Sequence, residues 1–401
     1  MSLRRIGSAT AAAGLAALLC VTAAPPAAAT PSSWEYQALG LAAAQRTAQG
    51  EGITVAVLDS GVEKDHPAVA GRVTTGPDYF KDGLHPGDPR WGRHGTAMAS
   101  DVLKVAPKAH ILSVRVLDEK KDHTELRHGP SPVAQGIDYA VDHGADVISM
   151  SLGGELFGRD FDDGEIDALA RAAQKGIPVI ASAGNDAEVF NETSFPAGYP
   201  EVIAVAATQK GGSRASFSTV RTYNAVAAPG VGIMSAKQTG GYAPVNGTSP
   251  AAALTSGTVA LMLSRNHKLT PAQVRAVLTS TAHHPSGGYN PLVGYGQINA
   301  AAAVRASANP PADGTAPVKY QGNKHPAGQD GTPKTTHPEL DTGLTTVGYS
   351  AAGTGLAMVL GAILIGVLGR RRAKANADAG PAGPMGPAGP TGPMPYPGAP
   401  R

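Results

Sequence analysis

The sequence predicts an α/β protein: three layers, with helices on both faces of a mainly parallel sheet, plus a single transmembrane helix near the C-terminus. Three observations predict this. Short apolar runs of strand character alternate with helical patterns between residues 50 and 306. Two of those helical patterns stop beside a glycine, as helix C-termini do. Residues 347–369 form 23 consecutive positions without an Asp, Glu, Lys or Arg, about the length a helix needs to cross the hydrocarbon layer.

The strand candidates come in order as Ile53–Leu58, Ile111–Leu117, Asp146–Ser151, Pro178–Ser182 and Val202–Ala207. Each is a near-continuous apolar run, as expected of a strand covered on both faces. Helical patterns run from Val133 to His143 and from Glu165 to Lys175, ending before Gly144 and Gly176. Strand, helix, strand at this spacing gives parallel strands with crossover helices. In such sheets the ligand site lies outside the carboxyl ends of the strands.

The ends of the chain are of a different kind. Residues 1–29 read as a signal peptide: Arg4 and Arg5, an apolar run from Ala11 to Ala24, then Ala27-Ala28-Ala29 before Thr30. Residues 30–49 are an N-terminal extension, too short for a separate folded pro-domain, with Trp34 to Gln49 expected to pack along the domain that follows. Residues 307–346, rich in Pro, Gly and Thr, read as a linker. The span at 347–369 is followed at once by Arg370-Arg371-Arg372, which places residues 370–401 in the cytoplasm. That tail ends in five glycine-led triplets from Gly380, too few for a triple helix and suited to polyproline II.

Composition narrows the function. Lys and Arg number 33 against 31 Asp and Glu, so no bulk positive charge favours a nucleic-acid partner. The single cysteine, Cys20, lies in the signal peptide. This rules out a disulfide framework or a Cys-based zinc site.

The residues just after the strands carry the chemistry. Asp59-Ser60-Gly61 follows the first strand, Ser151-Leu152-Gly153 the third and Ser182-Ala183-Gly184-Asn185 the fourth. Two more segments stand apart, Gly92-Arg93-His94-Gly95-Thr96 and Asn246-Gly247-Thr248-Ser249-Pro250. Of the 12 histidines, His94 alone sits in a Gly-x-His-Gly-Thr setting. A serine hydroxyl becomes a competent nucleophile when a base takes its proton. An imidazole is the usual base near neutral pH, and a carboxylate fixes its tautomer. Asp59, His94 and Ser249 supply that set, in the order Asp, His, Ser. The Asn185 amide and the backbone N–H of Ser249 suit a developing oxyanion.

With these segments in place, residues 50–305 resemble the subtilisin-like serine proteases, the subtilases (peptidase family S8). The Asp59, His94 and Ser249 segments match the three family signatures in order, and Ser182–Asn185 matches the oxyanion asparagine segment. The resemblance implies a subtilase catalytic domain at 50–306, with a triad of Asp59, His94 and Ser249 and an oxyanion hole using Asn185. It also implies a substrate cleft lined by Ser151, Leu152, Gly153, Ser182, Ala183 and Gly184. The chain departs from the family pattern at Ala97-Met98-Ala99-Ser100 after the histidine and at Pro250-Ala251-Ala252-Ala253 after the serine. Proline at the first helical position is tolerated, so a helix is still expected after Ser249.

Signal peptide, short extension, catalytic domain, linker, one span and basic tail together resemble the mycosins, membrane-anchored subtilases associated with type VII secretion. Mycosins usually carry disulfides, which this chain lacks the cysteines to form. The resemblance implies an extracytoplasmic endopeptidase, single-pass type I in the cell membrane. Its expected partners are a polypeptide substrate, the membrane, and the type VII machinery, with no nucleic acid. The alternative is a subtilase-fold scaffold that stabilises a membrane secretion complex with little or no proteolysis. The chemistry requires no cofactor or catalytic metal. Structural calcium is common in the family, and the acidic run Asp160, Asp162, Asp163, Glu165 fails EF-hand spacing and suits a helix start instead.

Overall fold

Seven strands pair in parallel into one sheet, in the order β2-β3-β1-β4-β5-β6-β7. They are β1 (Thr54–Asp59), β2 (Val73–Asp78), β3 (His110–Arg115), β4 (Val147–Met150), β5 (Val179–Ser182), β6 (Val202–Thr208) and β7 (Asn224–Pro229). The computed structural model describes residues 33–118, 130–153, 162–189 and 191–312. The signal peptide, the span at 347–369, the tail and almost all of the linker lie outside the described residues. Among the described residues no helix is long and apolar enough to cross a membrane.

Alternation along the strands sends successive side chains to opposite faces. Val55 and Val57 enter one core, while Ala56 and Leu58 enter the other. Helices α4 (Pro132–Asp142) and α5 (Asp163–Gln174) cover the second face, and each is followed by a left-handed glycine, Gly144 or Gly176. The first face is covered by α3 (Arg93–Val105) and α6 (Thr248–Arg265). Beside them lie α7 (Pro271–Thr281), α8 (Ala300–Ala306) and the N-terminal α1 (Trp34–Ala38) and α2 (Leu41–Thr47). The expected layers are therefore present.

The N-terminal extension is bound firmly to this face. Leu39 and Leu41 are fully buried, Trp34 Nε1 donates to the Val231 carbonyl (3.0 Å), and Lys104 Nζ donates to Glu35 (3.3 Å) and Asp101 (3.0 Å). An antiparallel hairpin, β8 (Ile233–Ala236) and β9 (Tyr242–Val245), leads into α6.

From β1 the chain crosses to β2 and β3 on one side and then to β4 and beyond on the other. The strand order thus reverses at the β1–β4 edge, and a crevice opens at the carboxyl ends of strands at such a point. Asp59 ends β1 there and Ser151 follows β4 there.

Both central helices begin at that edge and run away from it. The first turn of α3 meets Asp59, and the first turn of α6 meets Ser151, whose Oγ donates to the Ser249 carbonyl (3.0 Å). At the opposite edge, Ala106 lies 2.9 Å from where a Cβ on Gly50 would sit, and Ser264 Oγ accepts from Gly50 N (3.3 Å). The middle of α6 touches the last turn of α3. A Cβ on Gly257 would lie 2.7 Å from both the Val102 carbonyl and Val105 Cβ, so glycine is required at the crossing. His94 and Ser249 each precede that crossing by eight residues, about 12 Å of helix. Parallel helices with equal arms bring the two side chains to the same end of the sheet.

Candidate active site

Asp59 is 0% exposed at the end of β1. Both its carboxylate oxygens lie 2.9 Å from His94 Nδ1, and Oδ1 also accepts from the Ser60 N–H (2.7 Å). Its own carbonyl accepts from Val116 N (2.8 Å) and Leu117 N (3.1 Å). A carboxylate held this way keeps the proton on Nδ1 and leaves Nε2 as the basic nitrogen. The His94 side chain is 28% exposed, so its outer edge opens to the crevice.

Local sequence explains the pairing. Gly92 precedes α3 with φ +67°, and its N–H donates to the Ser60 carbonyl (3.0 Å). Gly95 N donates to Ser60 Oγ (3.1 Å), and Glu63 N donates to Thr96 Oγ1 (2.8 Å). A Cβ on Gly95 would collide with the Gly61 carbonyl, so glycine at 95 lets the first turn of α3 rest on the turn after β1. The two glycines flanking His94 thus dock it against Asp59.

Helix α6 starts at Thr248, with Gly247 at its N-cap. Ser249 is the second helical residue and Pro250 the third, two positions later than the sequence suggested for the proline. No hydrogen bond is lost, because the first four helical N–H groups have no intrahelical partner. The N–H of Thr248 donates to Asn185 Oδ1 (2.8 Å), and so does Thr248 Oγ1 (2.9 Å). Two donors on one end of the amide make that end the oxygen. Nδ2 is thereby turned outward, 3.7 Å from the Cβ position on Gly247. Asn185 is exposed and Ser249 partly exposed, at the positive end of the helix dipole. A carboxamide donor and the Ser249 N–H therefore face one small region, the arrangement an oxyanion needs.

The two expected cleft segments lie together. Ser182 Oγ donates to the Leu152 carbonyl (2.8 Å) and a Cβ on Gly153 would be 3.9 Å from Gly184 Cα. The hydroxyls of Ser151 and Ser182 thus brace backbone. Gly184 has φ +110°, and a Cβ there would lie 2.6 Å from Thr219 Oγ1. Ser194 packs against both glycines, 2.7 Å from the Gly153 Cβ position, and its buried Oγ has no hydrogen-bond partner. Tyr223 supports the same wall: its hydroxyl accepts from Ser194 N (3.0 Å), donates to the Ala183 carbonyl (3.0 Å), and is pushed well above the usual tyrosine pKa by burial.

Several of these contributors were not visible in the sequence. Thr248 orients the Asn185 amide, and its local signal is the Thr-Ser pair at a helix start. Ser60 lies in the Asp59-Ser60-Gly61 segment, which gives no sign that it braces α3, and Ser194 stands in no motif. In the acidic run, Asp162 caps α5 by accepting from Glu165 N (2.9 Å). Glu165 is buried and accepts from Ser131 Oγ (2.7 Å) and Tyr199 Oη (3.2 Å), while Asp160 lies outside the described residues, as does most of the loop 154–164. Among the described residues no group of three or more His, Cys, Asp or Glu side chains could hold a metal ion.

Comparison with known proteins follows the same lines. Residues 50–296 match the model of the subtilase family, Peptidase S8. Thermitase of Thermoactinomyces vulgaris is 36% identical over 266 residues, covering 64% of this chain and 90% of thermitase. The crystal structure of MycP1 from Mycobacterium smegmatis superposes with a TM-score of 0.58 at 27% identity, over 70% of this chain and 88% of MycP1. MycP3, a protease of the type VII (ESX-3) secretion system, gives a TM-score of 0.59 at 28% identity, over 71% of this chain and 90% of MycP3.

Proposed function

The chain belongs to the subtilase family and is a subtilisin-like serine protease resembling the mycosins, and we propose that Asp59, His94 and Ser249 are its catalytic triad. In this reading Ser249 Oγ attacks the peptide carbonyl while His94 Nε2 takes its proton. Asp59 holds the imidazole in the correct tautomer and stabilises the imidazolium. The carbonyl oxygen, now negative, is bound by Asn185 Nδ2 and the Ser249 N–H. The tetrahedral intermediate collapses, His94 returns the proton to the leaving amine, and an acyl-enzyme remains on Ser249. Water then repeats the sequence with His94 as base, releasing the acid and restoring the serine. The mechanism calls on no cofactor. The observation that carries the reading is the two-oxygen grip of Asp59 on His94 Nδ1, with the oriented Asn185 amide at the same sheet edge.

The substrate is a polypeptide whose backbone lies along Ser151–Gly153 and Ser182–Gly184. Two features support a place at a cell membrane: the leader at 1–29 and the apolar stretch at 347–369 with its basic flank. A role in type VII secretion is supported by the likeness to MycP1, from the ESX-1 type VII secretion system, and to MycP3, from the type VII (ESX-3) system.

A fluorophosphonate tests the assignment. It should phosphonylate the full-length protein at Ser249, and Ser249→Ala should abolish both the label and proteolysis. Peptide hydrolysis that survives Ser249→Ala would remove the mechanism. If the host's type VII export continues unchanged with Ser249→Ala but stops when the whole gene is deleted, the scaffold role stands in place of a proteolytic one.

A further inference from the structure

We infer that Arg115 is a positioning residue for the Asp59–His94 pair, acting through Trp91 and the turn that follows β1. The inference rests on the triad reading above. Arg115 ends β3 directly beside Asp59 in the sheet. It is among the largest fully buried side chains, 1% exposed. Its guanidinium is surrounded by anions and rings. Nη1 donates to Asp78 (2.8 Å) and Asp82 (2.7 Å), Nη2 donates to the other oxygen of Asp82 (3.1 Å), and Asp118 lies 3.8 Å from Nη2. The guanidinium carbon stands 5.0 Å from the ring centre of Phe80 and 5.7 Å from that of Trp91.

Those partners all lie between the last residue of β2 and the start of α3, or just after β3. One planar fork therefore fixes the segment that carries Trp91. Trp91 in turn lies flat on the turn after β1. A Cβ on Gly61 would be 2.6 Å from Cε2 of the indole, and the indole N–H donates to the Val62 carbonyl (3.0 Å). The same turn receives the first turn of α3: the Gly61 carbonyl faces Gly95, and the Ser60 carbonyl accepts from Gly92 N (3.0 Å). A continuous path of contacts thus runs from Arg115 through Trp91 to the two residues that seat His94.

Burial of the cation argues that it does more than fill space. Its Nε–H is buried without a hydrogen-bond partner. A buried charge with an unmet donor costs stability that an apolar side chain of similar size would not. What the guanidinium supplies instead is a rigid planar fork that grips a carboxylate with two nitrogens, a geometry a lysine ammonium lacks.

The test uses the full-length protein and a fluorophosphonate, with the variants Arg115→Lys, Trp91→Phe and both together. Trp91→Phe keeps a ring on Gly61 but loses the bond to Val62. The maximal phosphonylation rate at Ser249 should fall roughly tenfold to a hundredfold in each single variant. The half-saturating concentration should stay within about threefold, because the binding surfaces are untouched. The double variant should be no slower than the slower single within about threefold, since both act on one path. Unchanged maximal rates accompanied by a lower unfolding temperature would overturn the inference. So would losses that appear in half-saturation, or that multiply in the double variant. Should Arg115→Lys fail to fold, Trp91→Phe decides by the same criteria. A wild-type protein that is not labelled at Ser249 would instead refute the triad reading.

Discussion

Replacing Asn185 with aspartate separates its contact with Thr248 from its proposed role at the oxyanion. Its Oδ1 accepts from both the N–H and the hydroxyl of Thr248, and its Nδ2 is the proposed oxyanion donor. Aspartate keeps an acceptor facing Thr248 and places a negative charge at the start of α6, which the helix dipole favours by about 0.3–1 kcal/mol. Folding stability should therefore hold or rise slightly. The oxyanion, however, loses a donor and gains a repelling anion. Loss of one such donor costs about 2.7–4 kcal/mol, or 10² to 10³ in kcat, as known for the related subtilisin. Asn185→Asp should exceed that loss. Asn185→Leu should lose a similar 10² to 10³ in kcat but also lower stability by roughly 1–3 kcal/mol, because buried donors on Thr248 lose their acceptor. The assays are steady-state hydrolysis of an unfolded protein substrate and thermal unfolding of the same samples. Activity of Asn185→Asp within tenfold of wild type, with the protein folded, would refute the reasoning.

Other expectations follow from the same contacts. Gly95→Ala would drive a methyl into the Gly61 carbonyl and against Asp59 Cβ. It should displace His94 and reduce Ser249 labelling at least tenfold, a scale set by what small misplacements cost, measured as a labelling rate. Ser194→Ala removes a buried hydroxyl without a partner and should raise stability by about 1 kcal/mol, seen as a rise of about 2–4 °C in Tm. Burial alone would lower the Lys104 pKa, but the Asp101 and Glu35 carboxylates outweigh it and hold it above the ordinary 10.5. A raised folded-state value gives stability that is fully present below pH 10.5 and is lost as the pH climbs through the higher value. Hydrogen exchange in residues 34–47 should therefore quicken first at strongly alkaline pH, and uniform protection there across that range would count against the link.

Much of the fold was legible because its strands are covered on both faces. Runs such as Ile53–Leu58 and Val202–Ala207 leave little ambiguity, and Gly144 and Gly176 marked two helix ends. β2 was not legible: Val-Thr-Thr-Gly-Pro-Asp is half-exposed at the sheet edge, where polar residues and proline are admitted. β7 is built largely of small residues, and β9 carries Pro244 in a two-stranded ribbon. The start of α7 could have been found, since Thr270 and Gln273 form a full capping box. At the site, Asp59, His94, Asn185 and Ser249 sit in short motifs, because their chemistry constrains their immediate neighbours. Thr248 lies in the Gly247-Thr248-Ser249 segment, but its grip on Asn185, like the roles proposed for Trp91 and Arg115, depends on contacts between segments far apart in sequence, which no local pattern reveals.

The most direct measurement of the central claim is a crystal structure of the protein after phosphonylation. Phosphorus should be bonded to Ser249 Oγ, with one phosphonyl oxygen about 3 Å from both Asn185 Nδ2 and the Ser249 N–H. His94 Nε2 should lie within hydrogen-bond reach of Oγ while its Nδ1 remains on Asp59. Phosphorus on another residue, or its oxygen turned away from Asn185 with His94 remote from Ser249, would contradict the account.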